Sequence, residues 1–249
     1  MAQSIFGTGN LWGIPAGTNP TPVRFGTLQD VAVDFSFDFK MLYGGTQFPV
    51  EQARGKAKLD LKATLGRVDP VLFNGMFFGS SAATGEQLNS VDETTTIPGT
   101  PYIITVANGA TFSRDLGVYD TTAKKFLTRV ASAPATGQYA VNTTTGAYTY
   151  AAADTTHVVR ASYTYGSTTT GTTITYTNTL MGAGPIFAVE LVETYVGSAG
   201  SKSFSLYLPA VQSSKLTMPL KLDDFTMSSI DMSAQDDGAG NIFTMSITG

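Results

Sequence analysis

The chain contains no cysteine and a single histidine, His157, among its 249 residues. The absence of cysteine excludes disulfides, thiol nucleophiles and cysteine-based zinc sites. Charged residues make up 14% of the sequence, against roughly a quarter in an average globular protein. Neutral polar groups or neighbouring subunits must therefore cover much of the surface, and subunits of a polymer tolerate such a low charge.

Basic clusters, long apolar runs and a secretion signal are also missing. The net charge of -4 disfavours wrapping of nucleic acid, because counterion release requires clusters of Lys and Arg. No segment approaches the roughly 20 apolar residues that span a bilayer, and residues 1–9 lack the basic start and apolar stretch of a signal peptide. We expect a soluble protein that is made in the cytosol and has no membrane partner.

The sequence offers no motif for catalysis, a cofactor or a metal ion. No recognised motif places an acid or a nucleophile beside His157, although a Ser-His-Asp triad drawn from distant positions stays open. Asp223 and Asp224 are adjacent, so on a strand their side chains point to opposite faces and do not act as a pair. Residues 236–238 lack the closing glutamate of a calcium loop and predict a turn. We therefore predict that the protein is not an enzyme and has no catalytic, cofactor-binding or metal-binding residue and no cofactor.

Two segments alternate strictly between apolar and polar residues. Every second position is apolar in residues 31–41, and residues 56–63 repeat the pattern. Period-two alternation predicts half-buried strands with one buried face and one solvated face. Further strands are predicted at residues 103–106, 126–130, 138–141, 147–150, 158–165, 173–177, 186–192, 204–208, 214–222 and 242–247.

One short helix is predicted after the Asp69-Pro70 pair. Asp69 suits the N-cap, Pro70 suits the first helical position, and Gly79 can end the last turn. The apolar residues between them leave the period-two spacing, as a helix packed over the strands requires. The whole chain is therefore predicted to be mainly β, with this helix as its exception.

The connecting segments are rich in turn-forming residues. Residues 5–27 contain many Gly, Pro, Asn and Thr and predict an arm or long loop with Trp12 and Ile14 as docking points. A flexible terminus is the equal alternative. Residues 80–99 are predicted as a loop, and the short strands between residues 101 and 176 are typical of a small sandwich or barrel.

Ordered patterns from Gly7 to Ile247 resemble the major tail-tube proteins of long-tailed bacteriophages. Their order carries the resemblance, since none of the patterns is chemically diagnostic alone. The matching segments are GTLQDV (26–31), VDFS (33–36), LYG (42–44), QFPV (47–50), ARGK (53–56), LFNGMFFG (72–79), YTY (148–150), AAD (152–154), SYTY (162–165), NTLMG (178–182) with Pro185 and Phe187, SKL (214–216) and KLDDF (221–225).

The resemblance implies a subunit with the β-sandwich or barrel fold of the phage tail tube. Residues 28–95 and 178–249 are expected to form the tail-tube core, residues 1–27 an arm, and residues 96–177 an inserted, outward-facing β module. Hexameric rings stack into a hollow tube around the tape-measure protein, and terminator and tip proteins are further partners. DNA passes through the lumen without specific binding. The protein is expected in the virion after assembly in the bacterial cytoplasm, in a tail that the resemblance favours as non-contractile.

Two other readings stay open at this point. One is another tail component, such as a decoration, baseplate or terminator protein, and the other is a carbohydrate-binding β module. The placement of the charged strand faces is open as well. Their residues either line the lumen or contact solvent, and the lysines either offset acidic neighbours or pair across the sheet with Asp34 and Asp38. The charged positions are Asp34, Asp38, Lys40, Lys56, Lys58, Asp60 and Lys62.

Overall fold

The computed structural model describes residues 7–67, 69–80, 82–182, 184–197 and 200–247. Strands dominate these residues and only short helical segments interrupt them, which confirms the predicted mainly β class. The chain divides into two compact units. Unit 1 comprises Met1–Ser81 together with Ile174–Gly249, and unit 2 comprises Ala82–Thr173.

The secondary-structure elements follow one another in this order. The strands are β1 Asn10–Pro15, β2 Val23–Arg24, β3 Leu28–Tyr43, β4 Pro49–Leu65, β5 Ala82–Thr96, β6 Ile103–Thr105, β7 Phe112–Asp120, β8 Lys125–Phe126, β9 Thr128–Arg129, β10 Gln138–Asn142, β11 Ala147–Tyr150, β12 Val158–Ile174, β13 Ile186–Gly197, β14 Gly200–Thr217, β15 Ser228–Ala234 and β16 Thr244–Ile247. The helical segments are α1 Pro70–Phe73, a π-helical turn Asn74–Phe78, and 3-10 turns at Gly109–Thr111 and Ala152–Asp154.

Unit 1 is built on one antiparallel sheet with the strand order β2-β1-β13-β14-β15-β4-β3, and β16 pairs with β14 outside this path. Alternating apolar side chains turn one face of the sheet towards a core that holds Leu61, Phe187, Leu206 and Ile230. Each of these side chains is at most 2% exposed. The core therefore lies under the middle of the sheet.

The first strand corrects part of the predicted arm at residues 1–27. β1 pairs along its whole length with β13 and joins the sheet. Leu11 is buried in the core, whereas the predicted docking residues Trp12 and Ile14 are half-buried, because neighbours on a strand point to opposite faces. Residues 1–6 of the arm lie outside the described residues.

The predicted helix is confirmed at Pro70–Phe73. Asp69 caps it, because its Oδ1 accepts hydrogen bonds from two backbone N–H groups of the first turn at 2.9 and 3.3 Å. Gly79 ends the following π-helical turn with a φ of 62°, a left-handed conformation that favours glycine. The buried Met76 approaches β1 so closely that a Cβ on Gly13 would lie 2.5 Å from its sulfur.

The last third of the chain forms longer strands than the sequence predicts. β13 and β14 extend past the predicted strands 186–192 and 204–208, because they continue to hydrogen-bond to each other where the apolar alternation fades. The strand predicted at 214–222 is wrong beyond Thr217, where β14 ends and residues 218–227 continue outside the sheet. A proline follows Thr217 closely and has no N–H to donate to a ladder.

Unit 2 contains two four-stranded sheets, with the orders β6-β11-β10-β9 and β5-β12-β7-β8. Their apolar side chains form a second core, in which Tyr148, Tyr163 and Val159 are fully buried. The chain enters and leaves the unit through the neighbouring strands β5 and β12. There the Thr173 hydroxyl donates a hydrogen bond to the Gly85 carbonyl at 2.8 Å.

Two long strands of unit 2 escape the sequence prediction. Residues 80–99, predicted as a loop, contain β5, and β7 has no predicted counterpart. β5 carries few apolar side chains, and β7 is interrupted by Gly117 and charged residues. Neither segment therefore shows the apolar alternation that predicts a strand, although both strands pair with β12. The compact unit consequently spans Ala82–Thr173, whereas the expected module spans 96–177.

Candidate self-assembly surface

β3 and β4 form a long antiparallel hairpin, with strands of 16 and 17 residues. One face of the hairpin is apolar and starts in the core of unit 1, where Val33 lies opposite Leu61. The same face continues away from the core through Phe35, Phe37 and Phe39, because side chains two residues apart share a face. It therefore has an inner end inside the core and an outer end beyond it.

The outer half of this face is exposed in the single chain. Leu61 at the inner end is only 2% exposed. Four apolar side chains farther out form what we name the hairpin face, namely Phe35 at 45%, Phe37 at 42%, Phe39 at 54% and Met41 at 48% exposed. The strand predicted at 31–41 is thus confirmed, but its predicted burial is wrong for these four residues, because the core ends beneath the inner half of the hairpin. Full burial of one such side chain stabilises a protein by about 1.5–3 kcal/mol.

Two contacts shield the hairpin face without closing it. A register shift between Phe37 and Phe39 adds a residue to β4 and brings Arg54 opposite Phe39. The guanidinium carbon of Arg54 lies 4.6 Å from the centre of the Phe37 ring, a cation–π distance. At the inner end Phe243 packs edge-on against Phe35, with the ring centres 4.9 Å apart. Even with both contacts present, the four side chains of the hairpin face are exposed to the extent given above.

The third strand also offers an unpaired edge. β3 is the last strand in the order of the unit 1 sheet, and among the described residues it pairs only with β4. Backbone N–H and C=O groups on its outer side are free to pair, and exposed edges of this kind act as templates for association between chains. The charged residues Asp34, Asp38 and Lys40 alternate with the hairpin face along the strand and leave that face apolar.

The opposite, polar face of the hairpin carries both signs of charge. Lys58 and Asp60 form an ion pair along β4 at 2.6 Å, so an acidic neighbour on its own strand offsets Lys58, which is the first of the two alternatives that the sequence left open. The register instead places Asp60 opposite Asp34 and Lys58 opposite Ser36. The hydrogen bond between Lys58 and Asp60 lowers the pKa of Asp60 and raises the pKa of Lys58. Both side chains are exposed, so the pair adds little stability.

Opposite charges also alternate across neighbouring strands of this face. Asp231 on β15 lies opposite Lys62 on β4 and opposite Lys215 on β14. A shallow cavity here is lined by side chains of both signs, including Asp34 and Asp60. Across the described residues, no group of three or more histidine or carboxylate side chains is arranged to hold a metal ion. The face is a polar surface of mixed sign.

A second apolar surface lies where β14 ends. Residues 218–227, which we name the 218–227 segment, follow Thr217 outside the sheet. Met218, Leu220 and Leu222 have the period-two spacing on which the strand prediction for residues 214–222 is based. Lys221 lies between the last two, and its Nζ is 3.2 Å from a carboxylate oxygen of Asp224. Asp223 and Asp224 therefore belong to an exposed segment. The exposed apolar side chains are Met218 at 50%, Leu220 at 88%, Leu222 at 98%, Phe225 at 84% and Met227 at 42%.

His157 belongs to a His–Asp pair in unit 2. Its Nδ1 lies 2.7 Å from Oδ2 of Asp120, a residue that is 1% exposed. The other oxygen of Asp120 accepts hydrogen bonds from the backbone N–H groups of Thr122 and Ala123, both at 2.8 Å. No Ser or Thr hydroxyl hydrogen-bonds to the His157 ring in the part of the chain that the structure describes. The pair therefore fastens the end of β7 to the start of β12, and sequence spacing could not reveal it.

A buried carboxylate organises the tyrosines of unit 2. The hydroxyls of Tyr139 and Tyr148 donate hydrogen bonds to Asp115 at 2.7 and 2.9 Å. Burial, together with the negative charge of Asp115, raises the pKa of both tyrosines well above its ordinary value. Tyrosines held protonated in this way act as hydrogen-bond donors that tie β10 and β11 to β7.

Comparison with models of known protein families finds no family that matches the chain, and comparison with curated proteins finds no match either. None of the described helices is long and apolar enough to cross a bilayer. The features that bear on function are therefore the hairpin face, the free edge of β3 and the 218–227 segment.

Proposed function

We propose that this protein is a structural subunit that assembles with copies of itself, and that it is the major subunit of a bacteriophage tail tube. Stacked hexameric rings form the tube, and DNA passes through its lumen without specific binding. The subunit has no catalytic site and needs no cofactor. The resemblance of its ordered sequence patterns to tail-tube proteins supports the assignment to a phage tail.

The observation that carries the proposal is the presence of an exposed apolar face and an unpaired edge on one strand. The hairpin face leaves four large apolar side chains about half exposed, and the β3 edge leaves backbone groups without strand partners among the described residues. Contact with another copy would bury the hairpin face and would supply strand partners for the β3 edge. In a closed ring every copy has its β3 edge covered by a neighbour, so the property that would cause aggregation becomes the assembly mechanism.

The polar face of the unit 1 sheet is the candidate lining of the lumen. Lys62 and Lys215 flank Asp231, and Lys58 is paired with Asp60. A surface of mixed sign gives a passing polyanion no continuous basic track, and binding to such a track would otherwise release counterions and hold the DNA. The tape-measure protein occupies this lumen during assembly in the host cytoplasm. Terminator and tip proteins close the two ends of the tube in the virion.

Electron microscopy of the concentrated protein tests the proposal. We expect negative-stain images to show rings that stack into hollow tubes. A protein that stays monomeric in analytical ultracentrifugation over the same concentrations contradicts it. Isolated rings that never stack would favour another tail component, such as a terminator, decoration or baseplate protein.

A pair of matched variants tests the observation behind the proposal. Phe39→Asp replaces an apolar ring of the hairpin face with a carboxylate and is expected to abolish rings and tubes, because contact with another copy would then have to desolvate a charge and would lose the apolar surface of the ring. Phe126→Asp is the control, since Phe126 is 76% exposed in unit 2, and tubes are expected to persist. Circular dichroism checks that both variants keep their strands. Normal tubes from Phe39→Asp contradict a role of the hairpin face.

A further inference from the structure

We propose that residues 218–222 of one copy add as an antiparallel strand to the free edge of β3 in a neighbouring copy. This inference rests on the proposed function, since it names the segment that occupies the exposed edge when copies associate. The partner is a second copy of this chain. The contact is heterologous, with the β3 edge on one copy and the 218–227 segment on the other.

The segment has the properties of a strand that lacks a partner. β14 leads directly into it, and Met218, Leu220 and Leu222 keep the spacing of a strand with one apolar face. The last two are 88% and 98% exposed, so burial against another copy would remove much apolar surface from water. Pro219 suits this role, because proline lacks an N–H and is tolerated in strands that pair along one side only.

The 218–227 segment and the outer half of β3 lie at opposite ends of the unit 1 sheet, measured along the strand direction. Cross-strand pairing joins Thr217 to Ser229, Ser229 to Thr64 and Thr64 to Asp30, so β14 ends level with the start of β3. The hairpin turn after Tyr43 lies about 40 Å farther along β3, at about 3.3 Å per residue. The segment is too short to reach the outer half of its own β3, and a neighbouring copy must therefore supply it.

One antiparallel register satisfies both faces of the added strand. With Leu220 beside Phe39, the apolar side chains of the segment extend the hairpin face, and Lys221 lies opposite Asp38 on the polar face. Lys221 then gives up an exposed ion pair with Asp224, which is worth at most about 1 kcal/mol. The apolar neighbours in this register are Met218 with Met41, Leu220 with Phe39 and Leu222 with Phe37.

The symmetry of the contact favours this partner over a second β3. Pairing of β3 with β3 of another copy is isologous, so it closes a dimer and leaves the 218–227 segment exposed. Pairing of β3 with the segment uses one surface of each kind, so the resulting pair of copies still has one free β3 edge and one free 218–227 segment. Such a contact repeats until it closes a ring or continues as a filament.

Engineered thiols test the pairing, and the absence of cysteine makes each one unambiguous. The double variant Phe39→Cys/Leu220→Cys is assembled under reducing conditions, oxidised and run on a non-reducing gel. We expect a ladder from dimer upwards, because every copy offers both halves of the contact. Each single variant is expected to give no ladder. The matched control Phe126→Cys/Leu220→Cys, with its first thiol in unit 2, is also expected to give none.

The failures of the two proposals are distinguishable. Rings or tubes that form but yield no ladder overturn the inference and leave the proposed function standing. A covalent dimer from Phe39→Cys alone reveals isologous pairing and also overturns it. If the unmodified protein never assembles, both proposals are overturned.

A charge reversal tests the register without thiols. Lys221→Asp and Asp38→Lys each place like charges opposite one another, and each is expected to raise the critical concentration for assembly about tenfold. The double variant Asp38→Lys/Lys221→Asp restores the opposite charges and is expected to return the critical concentration to near its original value. Unchanged assembly in the single variants, or no rescue in the double variant, overturns this register.

Discussion

The two units place their aromatic side chains differently. In unit 2, Tyr148 and Tyr163 are fully buried, and their hydroxyls donate hydrogen bonds to Asp115 at 2.9 Å and to Glu93 at 2.6 Å. In unit 1, the three phenylalanines of the hairpin face are each more than 40% exposed. Unit 2 completes its core within one chain, whereas unit 1 leaves part of an apolar face for something else to cover.

The choice of aromatic residue follows the same division. A buried tyrosine needs a partner for its hydroxyl, and unit 2 supplies carboxylates from its own strands. Phenylalanine makes no such demand, so it can pack against any apolar surface that arrives. Unit 2 thus satisfies the polar groups of its tyrosines internally, whereas the hairpin face carries side chains that need only a complementary shape and the exclusion of water from whatever covers them.

Loss of the shared carboxylate is expected to have the largest effect on the stability of unit 2. Asp115→Ala leaves the hydroxyls of Tyr139 and Tyr148 without an acceptor, and each buried unsatisfied group costs about 1–3 kcal/mol. We expect the free energy of unfolding of unit 2 to fall by about 2–5 kcal/mol in denaturant titrations followed by tyrosine absorbance. Leu116→Ala is the neighbouring control, at a side chain that is 56% exposed. Equal losses in both variants would show that unit 2 does not depend on this polar cluster.

Acid is expected to weaken unit 2 by a smaller amount, through Asp120. Burial alone would raise the pKa of this carboxyl, but hydrogen bonds from Ala123, His157 and Thr122 outweigh burial and hold the pKa below its ordinary value. Because the folded-state pKa lies below the unfolded value of about 3.9, the stabilisation is complete above about pH 5. It is lost as the pH falls through the folded-state pKa, when the native state must take up the proton.

Hydrogen exchange of unit 2 as a function of pH measures this dependence. Asp120→Asn is expected to flatten the loss of protection on acidification, because the variant has no carboxyl to titrate. Asp224→Asn, at an exposed carboxyl of unit 1, is expected to leave the profile of unit 2 unchanged. An unaltered acid profile in Asp120→Asn assigns the pH dependence to other groups.

Removal of the helix cap is expected to cost unit 1 about 1 kcal/mol. Asp69→Ala deletes the acceptor for two N–H groups of the first turn, and loss of an N-cap side chain typically costs about 0.5–2 kcal/mol. Trp12, the single tryptophan of the chain, lies on β1 of unit 1 and reports unfolding by fluorescence. Asp69→Ser keeps a capping oxygen and is expected to stay within about 0.5 kcal/mol of the original protein. A larger loss in Asp69→Ser than in Asp69→Ala would rule out capping as the cause.

The smallest effect on the isolated subunit is expected on the hairpin face. Met41→Ser alters a side chain that is 48% exposed, so the free energy of unfolding of the monomer should change by no more than about 0.5 kcal/mol. Assembly, in contrast, should be strongly impaired. Leu61→Ala, at the buried inner end of the same hairpin, is expected to cost about 2–5 kcal/mol. Similar losses of monomer stability in Met41→Ser and Leu61→Ala would contradict the difference in burial between the outer and inner ends of the hairpin.

Local chemistry made several elements predictable from the sequence. The Asp69-Pro70 pair starts the helix and Gly79 ends the π-helical turn that follows it, because capping and φ preferences act within a few residues. β11 has the bounds predicted at 147–150, since its side chains alternate between buried and half-buried positions. Where one face of a segment is buried by its own unit, periodicity is an adequate guide.

Other features depend on partners that sequence patterns do not reveal. β5 is held in its sheet by hydrogen bonds to β12 and has little apolar alternation to indicate a strand. Asp120 lies 37 positions from His157, so the fold alone brings them together. For the hairpin face, the alternation from Val31 to Met41 identified the correct side of the strand. The alternation could not show whether these apolar side chains are covered by the same chain or by another copy.

The junction between β5 and β12 has a consequence for how the gene can change. The hydrogen bond from Thr173 to Gly85 joins the two points where the chain enters and leaves unit 2. A segment with adjacent ends behaves as a cassette, because it can be lengthened, shortened or exchanged while the chain on either side keeps its path. The hairpin face and the 218–227 segment both lie outside that cassette. Unit 2 can therefore change in length and sequence without altering the hairpin face or the 218–227 segment, whereas the proposed contact requires those two surfaces to match each other.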